Sequence, residues 1–314
     1  MLTQVKKICC LGTGTMGPGL AFTFALAGHS VQMYGRSPTK IELAFKRIRD
    51  ILASFVANDL LSPEDVPQII SRINGVTNLR EAMADADFVL ESIVEDLAVK
   101  QKLFTEIEDY CPPETILASN TSGLSPTAIA EDLKQKERFV VTHFWNPPHL
   151  LPLVEVVPGE QTSAGTVDFA FQLLKQAGKK PVVLNREILG FIGNRLQFAM
   201  LREALALVEN GIASKEAVDA TVKYALGRRL ATTGPLESAD LGGLDVIHSI
   251  SDYLMKDLCN SPEVPTLLQE TVASGKLGAK SGSGFYEWNT EALQKITQER
   301  ESNLLDWLKK EKFR

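Results

Sequence analysis

The sequence has little cysteine, and what it has is not arranged for metal or redox chemistry. Only four cysteines occur among 314 residues, and no two have the Cys-x-x-Cys spacing. Cys9 and Cys10 are neighbours in an apolar segment, so we expect their side chains on opposite faces of one strand. The four histidines show no metal-ligand spacing either. The sequence therefore predicts no disulfide framework and no bound metal, and it favours a reducing compartment such as the cytoplasm.

An excess of basic charge and a long apolar run are also missing. Lys and Arg total 33 and Asp and Glu total 39, so the formal net charge is −6. A mildly acidic chain has no electrostatic basis for binding nucleic acid or an anionic membrane. No uncharged apolar run approaches the ~18 residues of a membrane span. The N-terminal apolar segment imitates a signal peptide, but Gly12, Gly14 and Gly17 interrupt it.

The first part of the chain alternates short apolar runs with helical periods. Strands are predicted over residues 7–11, 30–34, 88–91, 115–119, 138–142 and 180–184, with helices over residues 17–27, 40–55 and 100–110. This alternation is typical of a parallel, doubly wound sheet. The predicted fold class is α/β, with a Rossmann-like dinucleotide-binding domain over residues 1–185.

The strand pattern stops after about Asn185. Residues 194–208 are apolar on most faces, which predicts a helix buried on more than one side. Ser214 is placed to cap a helix over residues 215–225, and Asn289 or Thr290 begins a last amphipathic segment. Residues 186–314 are therefore predicted to form an all-α substrate and dimerisation domain.

Gly12, Gly14 and Gly17 form a G-x-G-x-x-G pattern between a predicted strand and a predicted helix. Such glycines allow a tight turn and a close approach of the backbone to a pyrophosphate, next to the free N–H groups of the helix N-terminus. We therefore predict a dinucleotide site that includes Thr15 and Met16 of the same loop. The alternative is a glycine turn that only packs.

The end of the second strand bears on the choice of cofactor. A site that prefers NAD usually has Asp or Glu there, about 20 residues after the glycines. This chain has Arg36 and Ser37 instead, with Lys40 just beyond. These groups suit a 2′-phosphate, so the sequence slightly favours NADP over NAD. The alternative is that Arg36 and Lys40 are solvated and NAD binds through other contacts.

Polar motifs follow the later strands. The first is Ser-Asn-Thr-Ser, which ends at Ser122, and the second is Thr-His-Phe-Trp-Asn-Pro, which contains His143. Twelve residues after His143, Glu155 lies within an apolar segment. The last motif is Gly-Phe-Ile-Gly-Asn-Arg, which contains Asn194. With the glycine loop, this ordered set resembles the L-3-hydroxyacyl-CoA dehydrogenase family, including its lambda-crystallin and gulonate dehydrogenase branch. The resemblance extends from the glycine loop to Tyr286 and so covers most of the chain.

The residue types agree with the reaction of that family. Oxidation of an alcohol by hydride transfer requires a base for the hydroxyl proton, and imidazole titrates near neutral pH. We predict that His143 is this base and that Glu155 holds its imidazole in one tautomer. Ser122 and Asn194 are predicted to donate hydrogen bonds to the reacting oxygen. Each residue alone also has an ordinary structural explanation, so the prediction depends on their combination.

The resemblance further implies cofactor contacts and an oligomeric state. It implies cofactor-binding roles for Glu95, Lys100, Ser122, Asn146 and Lys280. The alternative for the two lysines is a solvated surface. The family and the apolar helix in the second domain both imply a homodimer.

The substrate is left open by departures from the family pattern. Members that act on acyl-CoA hold the CoA with a Ser and a Lys, and those positions fall on Ile51 and Asn58. Arg228 or Arg229 could bind a substrate carboxylate, or they could pair with Glu237 or lie in solvent. Residues 275–286, in contrast, have the ending typical of acyl-CoA members. We expect a 3-hydroxyacyl-CoA as the substrate, with a free 3-hydroxy acid (gulonate or carnitine) or a non-catalytic crystallin-like role as alternatives.

Overall fold

A computed structural model describes residues 6–312 of the chain. The chain divides into two compact units. The first contains the chain up to Asn194 together with the residues from Glu299 onward, and the second is Arg195–Gln298. The return of the last helix to the first unit was not indicated by the sequence.

The first unit is built on one eight-stranded sheet. Its strands are β1 (Lys7–Leu11), β2 (Ser30–Tyr34), β3 (Ile73–Val76), β4 (Phe88–Glu91), β5 (Ile116–Ser119), β6 (Phe139–Phe144), β7 (Leu153–Pro158) and β8 (Lys180–Val183). Their order in the sheet is β3-β2-β1-β4-β5-β6-β7-β8. The doubly wound α/β fold predicted from the sequence is confirmed. Two strands were not in the predicted set: β3, whose Asn74-Gly75 pair is typical of a turn, and β7, which the sequence marked only as an apolar segment around Glu155.

One pairing departs from the predicted parallel sheet. All neighbouring strands are parallel except β6 and β7, which are antiparallel. Only residues 145–152 connect these two strands. A parallel crossover needs a dozen residues or more, so this short connection forces the chain to reverse. The reversal places the predicted base and its predicted partner on adjacent strands.

Seven helices lie between the strands of the first unit. They are α1 (Gly17–Leu26), α2 (Pro38–Ala57), α3 (Val66–Ser71), α4 (Leu79–Met83), α5 (Leu97–Glu108), α6 (Pro126–Ile129) and α7 (Ala164–Gln176). Side-chain caps fix where several of them begin. Ser37 caps α2, and the Asp96 carboxylate accepts a hydrogen bond of 2.9 Å from the N–H of Val99 to cap α5. These caps place the first residues of each helix next to the strand ends.

The core has one apolar cluster on each face of the sheet. Cys10 belongs to the cluster that includes Phe22 of α1, and Cys9 belongs to the cluster that includes Phe104 of α5. The predicted orientation of the two cysteines to opposite faces is therefore confirmed. Burial raises the pKa of the Cys10 thiol to about 12, so this residue is a small apolar side chain at neutral pH.

The remaining helices are α8 (Gly193–Glu209), α9 (Lys215–Thr221), α10 (Gly227–Leu230), α11 (Pro235–Gly242), α12 (Leu244–Asp257), α13 (Thr266–Ala273) and α14 (Thr290–Lys312). They belong to the second unit, except for the first two residues of α8 and the part of α14 from Glu299 onward, which belong to the first unit. The helix predicted to continue from α9 to residue 225 instead changes to a π-helical turn over Val222–Leu226. Ser214 caps α9 as predicted, and Asn289 caps α14.

The composition of helix α8 predicted burial on more than one side. Within a single chain this prediction is wrong. Of its residues, all of which the structure describes, only Leu205 is buried. Leu196 is 57% exposed and Phe198 is 61% exposed. None of the described helices combines the length and apolarity of a membrane span.

Candidate active site

The three glycines of the loop between β1 and α1 differ in the space around them. Gly12 has a φ of +117°, and a Cβ there would lie 2.7 Å from the Ser92 carbonyl oxygen. A Cβ at Gly17 would lie 2.0 Å from the Gly12 carbonyl oxygen. At Gly14, in contrast, a Cβ would meet no heavy atom of the described residues within 4 Å. The outer glycines are therefore required for the turn, while the middle one leaves open space.

The open space lies at the start of α1, where backbone donors are free for a ligand. Among the described residues Met16, the N-cap, makes no side-chain capping bond, and the first turn contains no acidic residue. The first N–H groups of a helix have no partner within the helix and attract anions. The loop therefore fits a dinucleotide diphosphate, as the sequence predicts.

The groups predicted to select the cofactor lie where β2 ends and α2 begins. Arg36 and Lys40 are exposed, and the Ser37 hydroxyl accepts a 3.4 Å hydrogen bond from the N–H of Lys40. The first turn of α2 has no acidic residue. Two cations and the N-terminus of α2 therefore lie just beyond the carboxyl end of β2.

The predicted base and its predicted partner are in direct contact. His143 on β6 lies opposite Glu155 on β7, and Nδ1 of the imidazole is 2.8 Å from Oε2 of the carboxylate. The two side chains are only 6% and 1% exposed. Burial alone would raise the pKa of Glu155, but hydrogen bonds from His143 and from the N–H groups of Gly193 and Ile192 outweigh it and lower the pKa below its ordinary value.

The charge state of Glu155 determines which imidazole nitrogen can act as a base. An ionised carboxylate only accepts hydrogen bonds, so the proton between the two side chains lies on Nδ1 of His143. In the neutral imidazole, Nε2 then has the lone pair. This is the tautomer that a general base requires.

Aromatic rings enclose the imidazole on two sides. The ring centroid of His143 is 5.2 Å from that of Trp145 and 5.6 Å from that of Phe191. A Cβ at Gly193 would lie 2.2 Å from Trp145, so only glycine allows this close packing. Trp145 was part of a motif in the sequence, but its role next to the imidazole was not predicted.

The two residues predicted to bind the reacting oxygen are also in contact. Nδ2 of Asn194 donates a 2.7 Å hydrogen bond to the backbone oxygen of Ser122. Ser122 is exposed, and its own N–H donates a 2.8 Å hydrogen bond to Oε1 of Glu95. The same Glu95 oxygen accepts a 2.5 Å bond from the Thr121 hydroxyl. Glu95 therefore holds the turn that presents Ser122.

Lys100 is paired with two carboxylates, of which Glu91 is buried and Glu95 is exposed. Its Nζ is 2.6 Å from Oε1 of Glu91 and 3.4 Å from Oε2 of Glu95. The side chains of Lys100 and Glu91 are 1% and 0% exposed. Glu91 also accepts a 2.5 Å hydrogen bond from the Ser119 hydroxyl. The alternative that Lys100 lies on a solvated surface is therefore wrong. The role of Glu91 was missed, although a carboxylate ending an apolar strand was a visible signal.

Three of the predicted residues belong to the second unit. Arg228, Arg229 and Lys280 are exposed, and the Arg228 guanidinium lies over the Tyr224 ring. Glu237 accepts a hydrogen bond of 2.7 Å from the N–H of Gly234, which caps α11. In the first unit, Asn146 is exposed directly after β6. Within the first unit, continuous contacts join Lys100, Glu95, Ser122, Asn194 and, through the backbone of Gly193, Glu155 and His143.

The fold and this geometry define a nicotinamide-dependent oxidoreductase acting on a CH–OH group. The glycine loop and the Glu95 turn follow strands of one sheet, and His143 lies near the carboxyl end of another strand of that sheet, where such proteins bind dinucleotides. Two family models match the chain: the 3-hydroxyacyl-CoA dehydrogenase NAD binding domain over residues 7–188, and the C-terminal domain of the same family over residues 190–288. The chain therefore belongs to the 3-hydroxyacyl-CoA dehydrogenase family.

Similar proteins act on different substrates. The chain is 34% identical over 96% of its length to 5-formyl-3-hydroxy-2-methylpyridine 4-carboxylate 5-dehydrogenase of Mesorhizobium japonicum, and the match covers 97% of that protein. It is 38% identical over 91% of its length to a probable 3-hydroxybutyryl-CoA dehydrogenase of Bacillus subtilis, covering 98% of that protein. A solved structure described as the former type of enzyme, "an NAD+ dependent dismutase", superimposes with a TM-score of 0.90 at 32% identity, covering 96% of this chain and 97% of that one.

Proposed function

We propose that this protein reversibly oxidises a 3-hydroxy group to a 3-keto group, with His143 as the base. The buried contact between His143 and Glu155 carries this proposal, since it leaves Nε2 able to take the hydroxyl proton. When bound, the nicotinamide accepts the hydride. Ser122 and Asn194 hold the oxygen that gains or loses charge. Imidazolium formed on proton transfer is stabilised by the carboxylate of Glu155.

Variants at two histidines test this role. We expect His143→Gln to lower kcat for reduction of acetoacetyl-CoA, in which the histidine returns the proton to the oxygen, by roughly 10²-fold or more, since general acid–base catalysis contributes about that much. The exposed His248 provides the matched control, and His248→Gln should keep wild-type kcat. A His143→Gln enzyme that keeps more than a tenth of the wild-type kcat would contradict the proposal.

For the cofactor, we propose NADP in preference to NAD. The support is the pair of exposed cations, Arg36 and Lys40, at the acid-free N-terminus of α2. A 2′-phosphate there would gain charge-assisted hydrogen bonds. Comparison of KM for NADPH and NADH decides the question, and Arg36→Met should raise KM for NADPH more than for NADH. A lower KM of the wild type for NADH would overturn the preference.

For the substrate, we propose a 3-hydroxyacyl-CoA first, and a specific observation favours a free hydroxy acid as the second candidate. At the two positions that hold CoA in acyl-CoA members, Ile51 has no polar group, and Nδ2 of Asn58 donates a 2.9 Å bond to the Ser54 backbone oxygen. The similarity to a pyridine carboxylate dehydrogenase supports the same candidate. Arg228 and Arg229 are the proposed carboxylate contacts. The ratio of kcat/KM for acetoacetyl-CoA and for a panel of free hydroxy acids and pyridine carboxylates separates the two candidates.

We also propose that two chains associate through the helical domain into a homodimer in the cytoplasm. The support is the exposure of Leu196, Phe198 and Met200 on α8 and of Tyr253 and Met255 on α12. Large apolar side chains exposed in this number are typical of an interface. Light scattering should give twice the chain mass, and a monomer mass would contradict the association.

A further inference from the structure

Arg47 contacts the glycine loop although it lies far from it in the sequence. It belongs to α2, and its Nη1 donates a 3.0 Å hydrogen bond to the backbone oxygen of Gly14. The two residues are 33 positions apart. No sequence pattern relates them, because the contact depends on α2 packing beside α1. The fold therefore brings a guanidinium to the middle of the loop.

The glycine that Arg47 contacts is the one with open space. A side chain at Gly12 or Gly17 would collide with the backbone, whereas Gly14 has no described heavy atom within 4 Å of its Cβ position. Both Gly14 and Arg47 are exposed. The guanidinium therefore lies at the edge of the space that the middle glycine leaves free.

The charges around this space favour an anion. Arginine is always protonated, and its planar group has five N–H donors that match two oxygens of a phosphate. The bond to Gly14 uses one of these donors. The N-terminus of α1 adds uncapped N–H groups on the loop. A cation and a helix N-terminus are thus both adjacent to the glycine loop.

We propose that Arg47 is a further cofactor-binding residue whose guanidinium binds the diphosphate of the dinucleotide. The bond to Gly14 places the guanidinium at the loop before the ligand arrives. The proposal deepens the proposed function and depends on it, since it assumes that the loop binds a dinucleotide. A role confined to bracing the loop is a weaker explanation, because an exposed hydrogen bond to one carbonyl adds little to stability.

Binding measurements on two variants and one control test the proposal. Arg47→Met removes the charge and the donors, Arg47→Lys keeps the charge without the planar group, and Arg49→Met removes another exposed cation from the same helix. Calorimetric titration would use NADPH, NADH, ADP-ribose, adenosine and coenzyme A. Binding of NADPH or NADH to the wild type tests the proposed function separately.

We expect Arg47→Met to weaken binding of the tighter dinucleotide and of ADP-ribose by about 10- to 100-fold, the range for hydrogen bonds to charged groups. Arg47→Lys should lose less affinity for these ligands than Arg47→Met, and Arg49→Met should bind them as tightly as the wild type. Adenosine, which has no diphosphate, should bind all four proteins with equal affinity. Dinucleotide affinity within threefold of the wild type would overturn the proposal. So would an equal loss for adenosine, which would indicate a collapsed loop, or a loss confined to coenzyme A.

Discussion

His143 and Glu155 face each other across the single antiparallel pair of the sheet, with Nδ1 and Oε2 2.8 Å apart. The other carboxylate oxygen accepts hydrogen bonds of 2.9 Å and 3.0 Å from the N–H groups of Ile192 and Gly193. Glu155 therefore fixes the imidazole and the segment that begins α8 at the same time. The next residue along that segment is Asn194, which contacts Ser122. One carboxylate thus fixes the position of the proposed base relative to Asn194, which is proposed to hydrogen-bond the reacting oxygen.

The first prediction concerns Glu155→Gln. An amide has nearly the same shape and can still accept from Ile192 and Gly193, so the protein should fold. The neutral amide cannot stabilise an imidazolium, and its NH₂ group can impose the wrong tautomer on His143. We expect kcat to fall by roughly 10²- to 10⁴-fold, with KM for the cofactor little changed. Steady-state kinetics measure both, and exposed Glu160→Gln is the control. A kcat within threefold of the wild type would exclude this role for Glu155.

The sequence predicted the elements whose pattern is local. The strands β1, β2 and β4 begin and end at the predicted residues, because each is a short, mainly apolar segment between helical periods. The family register also identified His143, Glu155, Ser122 and Asn194, which the structure joins by direct or adjacent contacts.

Contacts between distant segments could not be predicted in the same way. Glu91 and Lys100 are nine residues apart, but their pairing depends on the turn between β4 and α5. The contact of Arg47 with Gly14 depends on how two helices pack. The antiparallel direction of β7 follows from a short connection rather than from its apolar pattern, which is the same in either direction.

The second prediction concerns the buried pair of Glu91 and Lys100. Lys100→Met would leave the Glu91 carboxylate buried without its cation, which we expect to reduce the free energy of unfolding by about 3–5 kcal/mol. The double variant Glu91→Gln/Lys100→Met should recover much of that loss, since the carboxylate left without Lys100 is then the exposed Glu95 and not the buried Glu91. Urea denaturation measures both.

An exposed ion pair serves as the control for that experiment. Lys134 lies 2.5 Å from Asp109, and their side chains are 67% and 63% exposed. Removal of Lys134 leaves a carboxylate that water solvates, so Lys134→Met should change stability little. Equal losses in Lys100→Met and Lys134→Met would show that the burial of Glu91 does not determine the cost.

The third prediction compares two glycines of the same loop. Gly17→Ala would place a methyl group 2.0 Å from the Gly12 carbonyl oxygen, so the backbone must move. We expect a loss of about 1–3 kcal/mol in stability, the usual cost of overpacking. Gly14→Ala meets open space and should keep the stability of the wild type while weakening dinucleotide binding. Thermal melting with and without NADPH or NADH distinguishes the two effects. A stable Gly17→Ala protein that binds dinucleotide normally would contradict this assignment.

The fourth prediction is a dependence of stability on pH through His149. This side chain packs against Phe22 and Phe55, with ring centroids 6.3 Å and 6.1 Å away. Burial, with a smaller contribution from the charge of Lys179, lowers the pKa of His149 from 6.5 to about 4. Between these values the unfolded chain binds a proton that the folded protein does not, so stability falls as the pH falls from about 6.5 to about 4.

The size of this effect and its removal can both be measured. This lowering of the pKa of His149 contributes at most about 3 kcal/mol to the free energy of unfolding. The contribution is fully lost only at the acidic end of the range. His149→Leu removes the titrating group at nearly constant volume, so the free energy of unfolding should depend less on pH over the same range. Urea denaturation from pH 7 to pH 4 compares the two proteins. Parallel pH profiles for the wild type and His149→Leu would show that other groups cause the acid sensitivity.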